Sequence, residues 1–264
     1  ARRISQISIM VLYIIANLYG INILMGNLSS SLVAKTIPLS DPYAALQMFF
    51  AGAVISFDIL LGAFFILIFY MIVGGRAFCS WVCPVNIITD LANYLRRRFG
   101  FNQIQKKQPA SRNIRYWVIA ISLVISFFMG VAAFELVSPI SMVHRGIIFG
   151  LGFGWAAMLV IFLFDLFVLK NGWCGHICPL GGFYSLVGRF SLIRVHHNAD
   201  NCTACMKCKE VCPENQVLHM ITKTSIPVLS GECTNCGRCV EVCDDDALNF
   251  SIKNLKKENK NEVR

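Results

Sequence analysis

The stretch "FCSWVCPVN", residues 78–86, sets Cys79, Cys83 and a proline just past the apolar run Ala51 to Val73. Laying the chain on itself puts "FCSWVCPV" (78–85) over "WCGHICPL" (173–180), and each follows a pair of long apolar runs. The front of the chain therefore reads as a tandem repeat of two helices and a Cys-x3-Cys-Pro loop. Parallel repeats related by an axis along the membrane normal bring equivalent loops together.

Four runs have the length and apolarity of spanning helices: Ile7 to Met25, Ala51 to Val73, Trp117 to Val137 and Ile147 to Leu169. The whole chain is 56% hydrophobic and 15% charged, with a mean hydropathy of +0.59, above that of a soluble globular domain. The first run follows Arg2 and Arg3 but has no small-residue cleavage site, so it reads as a retained anchor. The net charge of +9 is not spread as a nucleic-acid-binding stripe. Instead Arg76, Arg96, Arg97, Arg98, Lys106, Lys107, Arg112 and Arg115 gather between the second and third runs, against Lys35 and Arg145 on the other side. The positive-inside rule then puts both termini and this segment in the cytoplasm, as in a multi-pass protein of the bacterial inner membrane. The expected architecture is an α-helical membrane protein of four transmembrane helices (residues 1–194), a small α+β ferredoxin-like domain (195–250) and a polar tail (251–264).

The ferredoxin-like reading rests on a second repeat, "CTACMKCKEVCP" (202–213) and "CTNCGRCVEVCD" (233–244). Its C-x2-C-x2-C-x3-C spacing wraps three thiolates round one iron–sulfur cubane and sends the fourth to another. One 4Fe-4S cluster is expected on Cys202, Cys205, Cys208 and Cys243, and a second on Cys233, Cys236, Cys239 and Cys212. Zinc motifs split instead into CxxC pairs with a long spacer. Asp244 stands where the first motif has Pro213, which alters the turn after a ligand and removes none.

All twelve cysteines fall in these four motifs. The pairs Cys79/Cys83 and Cys174/Cys178 admit three readings: ligands of a third iron–sulfur cluster, redox thiols or a soft-metal site, and small buried hydrophobes. His176 reads equally as a ligand, a proton relay or a loop histidine. Among ionisable groups near the ends of the apolar runs, Asp58, Glu135 and Asp165 stand out. Glu135, with His144 and Arg145 nearby, is the weak candidate for a site where a quinol loses its protons, against the alternative of a snorkelling or ion-paired group.

Taken with "GNLSSSLVAKTIPLSDP" (26–42), "FCSWVCPVNIITDLANYLRRRFG" (78–100) and "GWCGHICP" (172–179), these motifs resemble the NapH family over nearly the whole chain. That family comprises ferredoxin-type quinol dehydrogenase subunits of periplasmic nitrate reductase systems. The resemblance implies electrons drawn from membrane quinol and passed with a periplasmic NapG-like iron–sulfur subunit, through a c-type cytochrome, towards nitrate reductase. The chain has no CxxCH haem motif of its own. The twin loops also resemble the copper-linked FixG and the NosR maturation polyferredoxins, which makes metal handling the alternative function. A docking scaffold stabilised by its clusters is a third reading.

Overall fold

Glycines, prolines and the cysteine loops interrupt the apolar runs, so the chain folds into many short helices. The computed structural model describes residues 2–19, 24–26, 29–33, 37–100, 111–149, 152 and 154–252. Helix α1 (Arg2–Tyr19) precedes an antiparallel meander of β1 (Leu24–Gly26), β2 (Ser30–Val33) and β3 (Ile37–Ser40), with β2 central and Ser31 opposite both Gly26 and Leu39. Asp41 caps α2 (Pro42–Phe50): its carboxylate accepts the Tyr43 N–H at 3.2 Å, and Pro42 fills a first-turn position that needs no donor. There follow α3 (Phe57–Val73), α4 (Ala77–Trp81), α5 (Val85–Arg98), α6 (Ile114–Met129), α7 (Ala133–Val137), α8 (Pro139–Phe149) and α9 (Gly154–Leu163). Two π-helical turns, Phe164–Val168 and Trp173–Ile177, lead into α10 (Pro179–Gly188). In the carboxy-terminal part, β4 (Ile193–His197) and β5 (Leu248–Ile252) pair antiparallel, with Val195 opposite Phe250, and between them run α11 (Lys207–Val211), a 3-10 turn (Asn215–Leu218) and α12 (Arg238–Glu241).

The four-span architecture is corrected: among the described residues no helix is long and apolar enough to cross a membrane. The 17 residues of α3 reach only about 25 Å at ~1.5 Å per residue, short of a hydrocarbon core of roughly 30 Å. A turn with Gly52 at φ +70° cuts Ala51 to Ser56 from this helix. The 16-residue α6 stops at Gly130 in the left-handed region. The fourth run splits into α8 and α9, and α9 gives way to π-helical turns. Helix α1 opens on Arg2, Arg3 and Gln6, and Gln6 is buried, donating to the Ser80 and Cys83 carbonyls at 3.1 and 3.2 Å. That start is held by protein rather than lipid. Many apolar side chains nevertheless face outward, among them Phe64, Phe69, Trp117, Phe128 and Trp155. The polar tail beyond Ile252 lies outside the described residues, as do Lys35, Lys106 and Lys107.

Two cores result. One packs Tyr43, Tyr70, Phe78, Val85, Phe134 and Tyr184 with Cys83 and Cys178, the Phe78 and Tyr184 rings stacking at 5.3 Å. The other packs Val195, Leu218, Met220, Ile221, Val228 and Leu248 with Cys208, Cys212 and Cys239. Burying each large apolar side chain contributes about 1.5–3 kcal/mol. The two parts meet backbone to backbone: a Cβ on Gly188 would strike the Gly231 carbonyl, and one on Gly231 the Ser185 carbonyl. Polar contacts lock the same seam. Asn235 Nδ2 donates to the Val73 and Ile193 carbonyls at 2.8 and 2.9 Å, Ser80 Oγ to Thr234 O at 2.7 Å, and Trp81 Nε1 to Asn235 O at 3.1 Å.

Candidate functional site

The two tail motifs fold alike. Ala204 and Met206 take φ of 60° and 61°, and their counterparts Asn235 and Gly237 take 45° and 75°. Paired left-handed residues curl each CxxCxxC segment before α11 and α12 begin. The eight thiols sort into two groups by whose charge they feel. Burial raises the Cys208 thiol, and Cys205, Cys202 and Cys243 raise it further. Burial likewise raises Cys212, assisted by Cys236 and Cys233, and it raises Cys239, where Cys208 also contributes beside Cys233, Cys236 and Cys212. Cys233 is pushed up to about 11 by burial, against the opposing Asn235 N–H. Cys212, Cys233, Cys236 and Cys239 line one narrow pocket, walled by Val195, Val217, Leu218 and Val228. Thiolates gathered in so apolar a pocket repel one another, and the ferric and ferrous charge of a cubane offsets that repulsion, so the donor set fits a 4Fe-4S cluster. Among the described residues no three His, Cys, Asp or Glu side chains converge on a point as a single metal ion needs.

The Cys-x3-Cys-Pro loops also repeat their geometry. The Cys83 N–H donates to Phe78 O at 3.0 Å and the Cys178 N–H to Trp173 O at 2.9 Å, the same five-residue step in each. Both second cysteines then sit at helix starts, where N–H groups of Val85 and Asn86, or of Leu180 and Gly181, point at the sulfur. Those donors favour the thiolate, yet burial prevails and pushes Cys178 up to about 12 and Cys83 higher. Cys174 is raised by burial, then by Cys83, Asp165, Cys178 and Cys79. The fold has brought the four thiols from two distant loops within each other's field.

These loops lie against the ferredoxin part. Cys79, Cys174 and Cys236 open onto a single narrow pocket, with Arg76 and Arg238 in its wall. Arg76, 1% exposed, donates to Glu214 Oε1 at 2.8 Å, to Glu232 O at 3.0 Å and to Cys174 O at 3.0 Å. Arg112 pairs with Glu214, Arg115 with Glu232, and Arg3 and Arg238 share Asp90. Arg96 is buried as well, donating to Asp165 O and Leu166 O at 3.0 and 3.2 Å. Basic residues that read in the sequence as topology markers thus include the ties between two halves of the molecule.

On the other side of the first loop is a half-open cavity of about 220 Å³. Ile66, Phe78, Val82, Phe134, Ile140 and Leu180 make it apolar, and Tyr13, Asp41, Tyr70, Glu135 and Tyr184 supply its polar groups. Glu135 Oε1 accepts from Ser29 Oγ at 2.6 Å and Ser141 Oγ at 2.5 Å. Asp41 Oδ1 accepts from the Tyr184 hydroxyl at 3.3 Å, and burial raises this carboxyl to about 7 despite the Tyr43 N–H. Of the groups singled out in the sequence, Glu135 therefore lines a cavity, Arg145 is exposed on α8, and the side chain of His144 lies outside the described residues. Asp58 is exposed, while Asp165 is buried and accepts the Trp173 N–H at 3.0 Å. His176 is buried with no hydrogen-bond partner at Nδ1; burial and the Arg112 charge lower its pKa and favour the neutral ring. Asp41 and Tyr184 had no sequence signal beyond a helix-starting Ser-Asp-Pro, because the elements that meet there are far apart in the chain.

Comparison with known proteins accounts for both cysteine-bearing regions. Residues 55–102 and 151–196 match the family described as 4Fe-4S binding domain, and residues 194–244 the family described as 4Fe-4S dicluster domain. The chain is 44% identical over 234 residues to the methylamine utilization ferredoxin-type protein MauN of Methylorubrum extorquens, covering 88% of this chain and 80% of that one. It is 43% identical over 219 residues to the ferredoxin-type protein NapH of Haemophilus influenzae, covering 82% and 75%, and 43% over 218 residues to NapH of Escherichia coli, with the same coverage. No solved structure matches the chain. The two iron–sulfur families matched along the chain, together with these ferredoxin-type relatives, indicate iron–sulfur electron transfer. The chain belongs to the NapH/MauN family of ferredoxin-type proteins.

Proposed function

We propose that the chain oxidises a quinol and hands its electrons through iron–sulfur clusters to a partner oxidoreductase. One observation carries this reading: Phe78 and Val82 wall the large apolar cavity, and their neighbour Cys79 opens with Cys174 and Cys236 onto the small one. A donor in the first cavity is thus one loop away from the thiols of the second. A quinol ring and its isoprenoid tail suit an apolar cavity with a few fixed polar groups. In this reading Cys202, Cys205, Cys208 and Cys243 hold one 4Fe-4S cluster, Cys212, Cys233, Cys236 and Cys239 a second, and Cys79, Cys83, Cys174 and Cys178 a third. Bound clusters supply one-electron redox steps. The protein around them excludes water with Val195, Val217, Leu218 and Val228 and fixes the mutual position of the loops through Arg76 and Asn235.

The same reading puts the chain at the bacterial inner membrane, where quinol resides, with its outward apolar side chains toward lipid and the ferredoxin part on the cytoplasmic side. The NapH relatives suggest a periplasmic nitrate reductase route through a NapG-like subunit and a c-type cytochrome. The printed name of MauN favours methylamine utilization as the second route. Anaerobically purified protein, mixed with short-chain ubiquinol or menaquinol, tests the donor. A paramagnetic reduced-cluster signal is expected with at least one of them. Clusters that dithionite reduces but neither quinol does would refute quinol oxidation.

A further inference from the structure

We infer that Asp41 is the base that receives a quinol hydroxyl proton in the large cavity, with Tyr184 holding its carboxylate in place. The inference rests on the quinol reading and names the residue through which it operates. Two carboxylates line the cavity, and their surroundings differ. Glu135 Oε1 accepts two serine hydroxyls, at 2.6 and 2.5 Å, which tie it to Ser29 and to Ser141 on α8. At Asp41 the Tyr43 N–H, at 3.2 Å, and the Tyr184 hydroxyl, at 3.3 Å, donate to Oδ1, the Ala44 N–H also bonds the carboxylate, and Asp41 lines the cavity that a quinol hydroxyl would enter. Tyr184 in turn stacks on Phe78, next to Cys79, so the base and the thiol loop share one aromatic wall.

The titratable groups around Asp41 are Glu135 on α7, Tyr184 on α10, Tyr70 on α3, Tyr43 on α2 and Tyr13 on α1. Burial first, then the Glu135 charge, moves Asp41 to about 7, where a base is ionised at neutral pH and still binds a proton firmly. In the step, one quinol O–H bond breaks and its proton passes to the Asp41 carboxylate. The second hydroxyl gives its proton to water, and the two electrons go one each to two oxidised iron–sulfur centres, leaving the quinone.

Asp41→Asn is the test, because asparagine keeps the helix cap while losing the base. Binding of the non-reducible quinol analogue 2-heptyl-4-hydroxyquinoline N-oxide is expected to stay within about twofold, which reports an intact cavity. The rate of cluster reduction by quinol is expected to fall roughly 100-fold, the scale of a lost general base. In the wild type that rate should rise with pH through about 7, a rise absent from the variant and partly restored in Asp41→Glu. Infrared difference spectra should show a protonated carboxyl band that titrates near the same pH and disappears in Asp41→Asn. A variant reduced as fast as wild type, or a pH dependence lost in Glu135→Gln instead, overturns the assignment while leaving quinol oxidation intact. Wild-type protein that no quinol reduces removes the quinol reading and this inference together.

Discussion

Replacing Glu232 by glutamine should destabilise the protein more than replacing Arg115 by methionine, although both break the same ion pair. Arg115 is fully buried, whereas the Glu232 side chain is 20% exposed. Without the carboxylate, the guanidinium keeps only the Tyr116 ring at 5.1 Å and long contacts of 3.5 Å to Gly175 O and Tyr116 Oη. An unpaired buried charge costs about 3–5 kcal/mol. Without the arginine, Glu232 still reaches water and still accepts from Gln216 Nε2 at 2.6 Å, and methionine fills the space of the aliphatic stem, so the loss is about 1–2 kcal/mol. The double variant should resemble Arg115→Met, because the charge that made Glu232→Gln severe has gone. The coupling then equals the whole Glu232→Gln cost, about 3–5 kcal/mol, at or above the usual upper end for residues in contact. Thermal unfolding of cluster-loaded protein reads it out: each kcal/mol moves Tm by about 2–4 °C for a chain of this size. Glu232→Gln should drop Tm by about 10 °C and Arg115→Met by a few degrees. A milder Glu232→Gln, or a double variant equal to the sum of the singles, would refute the burial argument.

Other outcomes follow from the same seam and from the cysteines. Burial works to raise the Glu232 pKa, but the Gln216 hydrogen bond and the charges of Arg115, Arg112 and Arg76 outweigh it and hold the group below its usual 4.5. Its contribution is therefore present above that value and lost as pH falls through the lower folded one, so hydrogen exchange at the seam should quicken below about pH 4.5 and not on raising pH from 6 to 8. Gly188→Ala and Gly231→Ala each drive a methyl group into a carbonyl across the seam and should cost about 1–3 kcal/mol while making Cys79 accessible to thiol reagents; unchanged labelling would sink that expectation. Iron analysis should give about twelve irons per chain, falling to about eight in Cys79→Ser or Cys174→Ser; eight in the wild type would leave those cysteines without a cluster.

The cysteine architecture was legible because ligand spacing is local: two residues between thiols are needed to wrap a cubane wherever the chain goes. Glu135 could also be singled out as a charge among apolar neighbours, and it does line a cavity. Helix length was not legible, since a hydropathy sum does not register where the backbone turns. Gly52 and Gly130 at positive φ and the π-helical turns after α9 divide runs that read as continuous. The pairing of the arginines was hidden for a related reason. Arg76 finds Glu214 138 residues away, and Arg115 finds Glu232 117 residues away, so their pairing appears only once the halves have met. Asp41 is the same case, an ordinary helix cap until α7 and α10 close over it.

The long reach of the seam also sets an order of events during synthesis. Ser80 waits for Thr234 and Val73 for Asn235, partners 154 and 162 residues further along. Closing so wide a loop is entropically costly and comes late in folding. Until Thr234 and Asn235 have left the ribosome, the Cys79 and Cys174 loops lack the partners that later tie them to the ferredoxin part. If the proposed third cluster forms on these loops, whatever loads its iron and sulfide has that interval in which to act, and the arrival of the carboxy-terminal part ends it.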